Sequence, residues 1–242
     1  MSLLRAACAV ALAGCSPAPA APVAATPATP VTPAPASPLD ALEQRLTAAR
    51  TFRVRARLAS GGRIESHFEG ALVAGPERRA HLAMQGAFGG KDVDALFTCD
   101  GAKMGGGTRG KHFDLEAAPA LRDGLVVEFV RRGLLHSVAS LSSGEPPESL
   151  DGAARRHLVV VGLVERPGQD VRGVPTDELD WELDVDGKRA ADETLWLDRR
   201  TQLPVRRRVV VHFPEGDMDV GEEYDEVAVD EPEDDATFRI AP

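Results

Sequence analysis

Just after a proline-rich stretch, the apolar positions of this chain follow a helical period. Apolar residues recur there at steps of three and four, which places them on one face of a helix. Ser37 and Pro38 begin this run, and they are typical of an N-cap and of the first helical position. The pattern predicts a helix from Pro38 to about Ala49. Its apolar face consists of Leu39, Leu42, Leu46 and Ala49.

After this helix, apolar residues recur with a period of 2 residues instead of about 3.6, which indicates β-strands. Arg53, Arg55 and Arg57 alternate with apolar residues, and Gly61-Gly62 supplies a turn before a second strand near residues 64–72. Such alternation predicts a sheet with one apolar and one solvated face. Further strands are predicted near residues 78–88, 93–98, 156–165, 178–185, 193–198, 204–213 and 217–229.

Helical spacing returns between Ala118 and Leu135, where one apolar stripe predicts a second helix. The spacing of the strands suits antiparallel meanders rather than parallel βαβ units. The predicted fold class is therefore α+β, an antiparallel sheet with helices laid on it. The stripe consists of Leu121, Leu125, Val126, Phe129 and Val130.

The first fifteen residues have the pattern of an export signal. Arg5 precedes an apolar run from Ala6 to Ala13, which is too short to span a bilayer as a lasting helix. The run ends in Leu-Ala-Gly-Cys, which resembles the bacterial lipobox; an ordinary signal peptide with an incidental cysteine is the alternative. We predict a lipoprotein signal peptide over residues 1–14 and acylation of Cys15, so that fatty chains such as palmitate anchor the protein to a membrane.

Residues 15–38 are the predicted lipidated cysteine and its tether. Residues 16–38 hold 8 of the 18 prolines, 8 alanines and no charge, a composition that cannot bury a core. Proline favours extended polyproline II, so this tether holds the folded domain, residues 39–242, away from the membrane. Ser16 follows the cysteine in place of the Asp that tends to retain enterobacterial lipoproteins at the inner membrane. We therefore expect the outer membrane, on its periplasmic side.

The formal charge of −10 is concentrated at the C-terminus, because residues 214–242 contain 12 acidic residues and one arginine. A nucleic-acid partner is not expected, since phosphate binding needs a positive field. We interpret the acidic segment near residues 217–226 as a solvated edge strand; binding of cations or of a basic partner is the alternative. Arg206, Arg207 and Arg208 on the preceding strand are expected to form cross-strand ion pairs with it.

Two segments imitate ligand-binding motifs. Residues 105–111 read GGGTRGK, but a P-loop requires Ser or Thr where His112 stands, so we interpret them as a mobile glycine-rich loop. Residues 182–193 read ELDVDGKRAADE, which has the acidic spacing of a calcium loop. Apolar residues alternate with those acids, however, so the segment is predicted to be a hairpin that turns at Asp186-Gly187.

No constellation of residues predicts catalysis. The six histidines lack metal-ligand spacing, and Cys99 is expected to be a small buried apolar residue rather than a nucleophile. The sequence also has no nucleophile elbow. We therefore predict a protein that is not an enzyme and has no metal and no cofactor.

Several short segments together resemble the superfamily of the lipoprotein-localisation factors LolA and LolB. These are the strand Phe-Arg-Val-Arg at residues 52–55, Leu-Trp-Leu-Asp at 195–198, Leu-Pro-Val-Arg at 203–206, Tyr224, and Asp-Ala-Thr-Phe at 235–238. The resemblance covers nearly all of residues 37–242. It implies a curved, unclosed antiparallel half-barrel with helices packed on its concave face.

The resemblance also implies a ligand, namely the acyl chains of a lipid or lipoprotein held between helix and sheet. We predict a monomer that binds or transfers such chains, with the helix over residues 118–135 as a movable lid. The alternative is an interaction or sensor lipoprotein whose sheet binds a protein of the cell envelope. The predicted lining residues are Phe52, Val54, Leu58, Phe68, Leu72, Leu82, Met84, Leu121, Leu125, Phe129, Trp181, Leu183, Val209 and Val211.

Overall fold

The computed structural model describes residues 36–147 and 154–240. The predicted signal peptide, Cys15 and almost all of the tether lie outside the described residues. Within them the helices are α1 (Pro38–Ala48), α2 (Leu121–Arg131), α3 (Leu135–Ser143) and α4 (Ala154–His157), with a final 3-10 helix at Asp235–Phe238.

Eleven strands form one antiparallel sheet in the order β6-β5-β4-β3-β2-β1-β11-β10-β9-β8-β7. The pairing of β1 with β11 joins the two halves of the chain, and β6 and β7 are the two edges of the described sheet. The predicted α+β, unclosed antiparallel half-barrel is confirmed. The strands are β1 (Phe52–Gly62), β2 (Ser66–Ala74), β3 (Arg79–Phe88), β4 (Lys91–Asp100), β5 (Lys103–Thr108), β6 (Lys111–Glu116), β7 (Leu158–Pro167), β8 (Thr176–Val185), β9 (Lys188–Asp198), β10 (Pro204–Val211) and β11 (Met218–Val229).

Alternation along each strand determines which face of the sheet packs against the helices. In β1 the apolar residues from Phe52 to Leu58 are buried, whereas the arginines between them reach the surface. Helix α1 begins as predicted, because the Ser37 hydroxyl accepts from the Asp40 amide at 3.1 Å. The buried faces of α1, α2 and α3 join the inner face of the sheet in one core.

The helix predicted over residues 118–135 is present but shorter, since α2 ends at Arg131 and a separate helix that was not predicted, α3, begins at Leu135. Gly133 lies between them with a φ of +87°, a conformation that favours glycine. A β-carbon at this position would lie 2.6 Å from Oε1 of Glu222. A side chain at position 133 would therefore collide with the carboxylate of Glu222.

The glycine-rich segment is a hairpin rather than the predicted mobile loop. Gly105, Gly106 and Gly107 lie within β5, which pairs with β4 and β6. A β-carbon on Gly106 would lie 2.2 Å from the carbonyl oxygen of Leu96, so the strands approach too closely here for a side chain. The glycines of β5 that imitate a phosphate-binding loop are therefore explained by the close packing of β5 between β4 and β6.

The calcium-like segment forms the predicted hairpin between β8 and β9. Asp186 and Gly187 turn the chain with φ values of +52° and +75°, as a two-residue hairpin turn requires. The acidic segment, by contrast, is not an edge strand, since β11 lies in the middle of the sheet between β1 and β10. Its predicted ion pairs with β10 are confirmed: Arg206 contacts Glu223 at 3.1 Å and Arg208 contacts Asp219 at 2.8 Å.

Candidate functional site

A cavity of about 360 Å³ lies between α3 and the inner face of strands β8 to β11. We call it the α3 cavity. Its walls are mostly apolar, and its volume falls within the range of about 300–1,000 Å³ that small-molecule sites occupy. His136, Val211 and Phe213 line it and are only half-buried, so the cavity reaches the surface at these side chains.

Three of the predicted lining residues, Leu183, Val209 and Val211, lie on the wall of the α3 cavity. The others are buried in the core outside it. Phe129 of α2, for example, stacks on Phe52 with ring centroids 6.5 Å apart. These core residues are Phe52, Val54, Leu58, Phe68, Leu72, Leu82, Met84, Leu121, Leu125, Phe129 and Trp181.

Two arginine side chains of α2 fasten this helix to its surroundings. Arg122 donates to the carbonyl oxygens of Leu46 and Gly75 at 3.0 and 2.7 Å. At the other end of α2, Arg131 donates to Glu43 at 2.5 Å and to the carbonyl oxygen of Leu158 at 2.7 Å. The predicted lid helix is therefore tied by charged hydrogen bonds at both ends.

A buried cluster of charged and polar side chains lies beside the α3 cavity, centred on Arg207 of β10. This guanidinium is 0% exposed and donates to Oε2 of Glu193 at 2.6 Å. It also donates to the carbonyl oxygens of Phe129 and Val130 at 2.8 and 2.6 Å. Arg207 thus binds the C-terminal turn of α2, where free carbonyls favour a cation.

Glu222 of β11 holds the start of α3 in the same cluster. Its Oε1 accepts from the backbone amides of Leu134 and Leu135 at 2.8 and 3.0 Å. Its Oε2 accepts from the hydroxyl of Tyr224. A carboxylate at a helix N-terminus satisfies amides that the helix itself leaves free. One cluster therefore fixes both helix ends at the α2–α3 break.

The cluster alters the protonation of its members. Burial raises the pKa of Glu193 from 4.5 to about 7, and the charge of Glu222 adds to this, although Arg207 opposes it. Burial also raises the pKa of Tyr224 well above its usual value, so its hydroxyl stays protonated and donates to Glu222. Burial opposes the charge of Arg207, but Tyr224 and the two carboxylates outweigh it and raise its pKa.

Two buried polar atoms, one on β9 and one on β8, lack a hydrogen-bond partner among the described residues. Oε1 of Glu193 is one, and Glu193 itself lines the cavity. Nε1 of Trp181 is the other, and Trp181 faces Glu193 directly across the β8–β9 pair. A donor and an acceptor that are both buried and unsatisfied are costly to the stability of the fold, and neither atom has surface accessible from the cavity.

Sequence reasoning missed this cluster although a signal for it exists. Arg207 shares the period-2 register of Val209 and Val211, Glu222 that of Val220 and Tyr224. A charged residue in the register of buried apolar ones points into the core. The expected ion pair with the acidic strand is therefore wrong for Arg207, which is buried and pairs instead with Glu193 of β9.

Other candidate chemistry finds no site in residues 36–147 and 154–240. No group of three or more metal-ligating side chains occurs within these ranges. Cys99 is buried, and burial raises the pKa of its thiol. No helix of the same ranges is both long and apolar enough to cross a membrane.

Comparison with known proteins gives matches of fold only. No protein-family model and no curated protein sequence matches this chain. The chain matches the MucA/MucB complex of Pseudomonas aeruginosa (13% identity, TM-score 0.39), covering 85% of this chain and 62% of that one. The chain thus spans less than two thirds of the length of the chain that it matches in this complex.

Two further solved structures also match this chain. A LolA superfamily protein of Nitrosomonas europaea is 8% identical, with a TM-score of 0.37 over 84% of this chain and 96% of that one. A putative outer-membrane lipoprotein-sorting domain of Vibrio parahaemolyticus is 8% identical, with a TM-score of 0.29 over 83% and 94%. A protein of the superfamily that the sequence resembles is thus among the matches. These values are too low to transfer a function to this chain.

Proposed function

We propose that this protein is a lipid-anchored protein of the bacterial cell envelope that holds an acyl chain in the α3 cavity. The observation that carries the proposal is the cavity itself, an apolar space of about 360 Å³ between helix and sheet that reaches the surface. Each methylene group that leaves water for such a space gains about 0.8 kcal/mol. Binding by burial needs no chemical step, so the function that we propose for this protein is not enzymatic.

The anchor and the location are the second part of the proposal. An apolar run that ends in Leu-Ala-Gly-Cys supports acylation of Cys15, and several chains on one cysteine anchor a protein stably. Ser16 in the next position supports the outer membrane and its periplasmic side. The tether over residues 16–38 then lets a monomeric domain reach acyl chains of lipids or lipoproteins while it stays attached.

We place the acyl chain in the α3 cavity rather than between α2 and the sheet. Beneath α2 the space is filled by side chains such as Phe52 and Phe129, which are both at most 1% exposed. A chain inserted there must displace packed core residues. The α3 cavity accepts a chain without that cost.

The test measures lipid bound to the full chain carrying Cys15→Ser, which prevents acylation of the protein itself. After incubation with an envelope lipid extract, native mass spectrometry of this protein should show a bound acyl lipid. Ala139→Phe places a ring on the cavity wall and should reduce the bound fraction about tenfold, since it fills the space the chain needs.

Ala59→Phe is the matched control, because it makes the same substitution at an exposed position of β1 outside the cavity wall. Its bound fraction should equal that of the parent protein. The proposal is wrong if the parent protein acquires no lipid, or if Ala139→Phe binds as much as the control does.

One observation favours a second function, the binding of an extended peptide from a partner protein. Strand β7 is an edge of the described sheet, and Val159, Val161 and Val164 on it are 40%, 40% and 52% exposed. An apolar edge strand is suited to pairing with an added strand. A photocrosslinker at position 161 should then capture an envelope protein in cells, whereas one at the exposed Arg55 in mid-sheet should not. Equal products at both positions would rule out edge binding.

A further inference from the structure

The connection between β10 and β11, residues 212–217, borders the mouth of the α3 cavity. We call it the β10–β11 turn. Its Phe213 lines the cavity and is half-buried, and Val211 and Met218 on the flanking strands line the cavity as well. Because the cavity reaches the surface at Phe213, a displacement of this turn changes the width of the opening.

His212 joins this turn to the neighbouring strand β9. Its Nδ1 lies 3.1 Å from Oδ1 of Asp217 at the far end of the turn, and its Nε2 lies 3.3 Å from Oδ2 of Asp192 on β9. Only the imidazolium carries a hydrogen on both ring nitrogens, so only the charged form donates to both carboxylates. In the neutral form one nitrogen turns a lone pair toward a carboxylate, and that contact becomes repulsive.

The other contacts of the turn lie largely at the surface. Residues 214–217 are exposed, so their side chains are not packed in place. The Gly216 amide donates to the carbonyl oxygen of Phe213 at 3.1 Å, and Arg63 pairs with Glu215. Exposed pairs of this kind contribute little each, so the loss of one histidine contact is a substantial part of what holds the turn.

We propose that the charge state of His212 regulates access to the α3 cavity. The imidazolium bridges Asp192 and Asp217 and keeps the β10–β11 turn, with Phe213, over the mouth, whereas loss of the proton frees the turn and lets the ligand leave. This inference rests on the proposed function and adds regulation to the same cavity. The bound chain is therefore retained in mildly acidic surroundings and exchanged in mildly alkaline ones.

Two carboxylates determine the pH range of this switch. Hydrogen bonds to Asp217 and Asp192, together with the charges of both, raise the pKa of His212 above its ordinary value of 6.5, although burial opposes them. The proton is thus retained at about pH 6 and is lost as the pH rises toward about 9. The charged and titratable groups around His212 and the turn are Asp192 and Arg189 of β9, Asp217 and Glu215 of the turn, Arg63 of the β1–β2 connection, and His136 of α3.

The test measures how fast a bound probe leaves the full chain carrying Cys15→Ser. N-phenyl-1-naphthylamine is uncharged at both pH values, so its own charge does not affect the result. The loaded protein is mixed with an excess of cyclodextrin, which captures released probe, and the decay of fluorescence gives the rate. In this parent protein the rate should rise about fivefold between about pH 6 and pH 9, a ratio typical of the loss of one exposed charged contact.

His212→Gln removes the charge and reaches only one of the two carboxylates. Release should therefore be fast at both pH values, with a ratio below about twofold. His157→Gln is the matched control, because His157 also contacts an aspartate, Asp186, but lies outside the cavity wall. It should keep the pH dependence of the parent protein. Glu193 on the cavity wall also has a pKa of about 7, but it is common to all of these proteins and cancels in the comparison.

Asp217→Asn tests the same bridge in the opposite direction. The amide of Asn both donates and accepts, so it bonds Nδ1 of His212 in either charge state while Nε2 donates to Asp192. Release should then be slow at both pH values. A pH dependence equal to that of the parent protein would contradict the bridge. This variant decides the matter if His212→Gln does not fold.

A second measurement assigns the effect to the turn without any ligand. With para-fluorophenylalanine at position 213, fluorine NMR reports the surroundings of the ring that lies at the mouth. Its signal should move between the two pH values in the parent protein and stay constant in His212→Gln.

The outcomes separate this inference from the proposed function. If the probe binds at neither pH, the proposed function is wrong and this inference falls with it. If the probe binds but leaves at one rate at both pH values, or if His212→Gln keeps the ratio of the parent protein, only the regulation by His212 is overturned. A fluorine signal that does not follow the pH would show that the turn does not move, and would overturn the regulation as well.

Discussion

Arg207 and Glu193 form an ion pair, with Nη1 and Oε2 2.6 Å apart, in which both side chains are 0% exposed. Such a pair loses hydration that its attraction only partly repays, so it contributes little to stability as a pair. Its geometry is nevertheless specific, because Arg207 also donates to the carbonyl oxygens of Phe129 and Val130. The pair therefore positions the end of α2 on the sheet.

Removing the cation should be costly. Arg207→Leu leaves Glu193 and two helix carbonyls buried without their donor, and we expect the free energy of unfolding to fall by about 3–5 kcal/mol. Urea unfolding followed by circular dichroism measures this loss. Arg208→Leu is the matched control on the same strand; Arg208 is exposed and pairs with Asp219, so its loss should stay below about 1 kcal/mol. Equal losses in the two variants would contradict the structural role of Arg207.

The carboxylate of Glu222 should protect the start of α3. Glu222→Ala removes the acceptor of the Leu134 and Leu135 amides, and we expect the free energy of unfolding to fall by about 1–3 kcal/mol. Hydrogen exchange should accelerate at these two amides by more than the overall loss of stability explains. Glu223→Ala, whose side chain is partly exposed and pairs with Arg206, should leave both exchange rates unchanged. Unchanged exchange in Glu222→Ala would exclude this capping contact.

Gly133 should be intolerant of a side chain for two separate reasons. Its φ of +87° strains any other residue, and a β-carbon there would lie 2.6 Å from Oε1 of Glu222. Gly162 also has a positive φ, +67°, but a β-carbon there meets no atom within 4 Å. Gly162→Ala should therefore cost about 1 kcal/mol, and Gly133→Ala at least about 2 kcal/mol, in thermal or urea unfolding. Equal costs would show that the contact with Glu222 is unimportant.

Stability should depend on pH through Glu193. Its pKa is about 7 in the folded protein and 4.5 when unperturbed, so the folded state holds the proton more tightly. Its contribution is fully present below about pH 4.5 and is lost as the pH rises toward 7, at up to about 1.4 kcal/mol per pH unit. The raised pKa of His212 acts in the same direction and the lowered pKa of His81 in the opposite one.

The difference between parent protein and Glu193→Gln isolates this term, since both share the two histidines. Urea unfolding at intervals from about pH 4.5 to 8 should show the parent protein losing stability relative to the variant as the pH rises. A pH-independent difference between the two proteins would mean that Glu193 titrates normally in the folded state.

The sequence by itself determined the fold class, because the period at which apolar residues recur determines whether a segment forms a helix or a strand. The helical spacing of residues 38–49 became α1, and the alternation around Arg53, Arg55 and Arg57 became the two faces of β1. The turn at Asp186-Gly187 could also be predicted from the sequence, because few residue types adopt the positive φ values that both of its positions require. Each of these signals is local, so one segment is enough to reveal it.

The tertiary structure alone decided that the chain turns between α2 and α3, that β5 and β6 form, and where the cavity lies. The break depends on Glu222, which lies 88 residues beyond the Leu134 amide that it binds. The glycines of β5 become a strand because β4 and β6 lie on either side of them. Of the predicted lining residues, Leu183, Val209 and Val211 border the cavity, and the others are packed in the core. Whether a buried side chain borders an empty space depends on neighbours that the chain brings together only on folding.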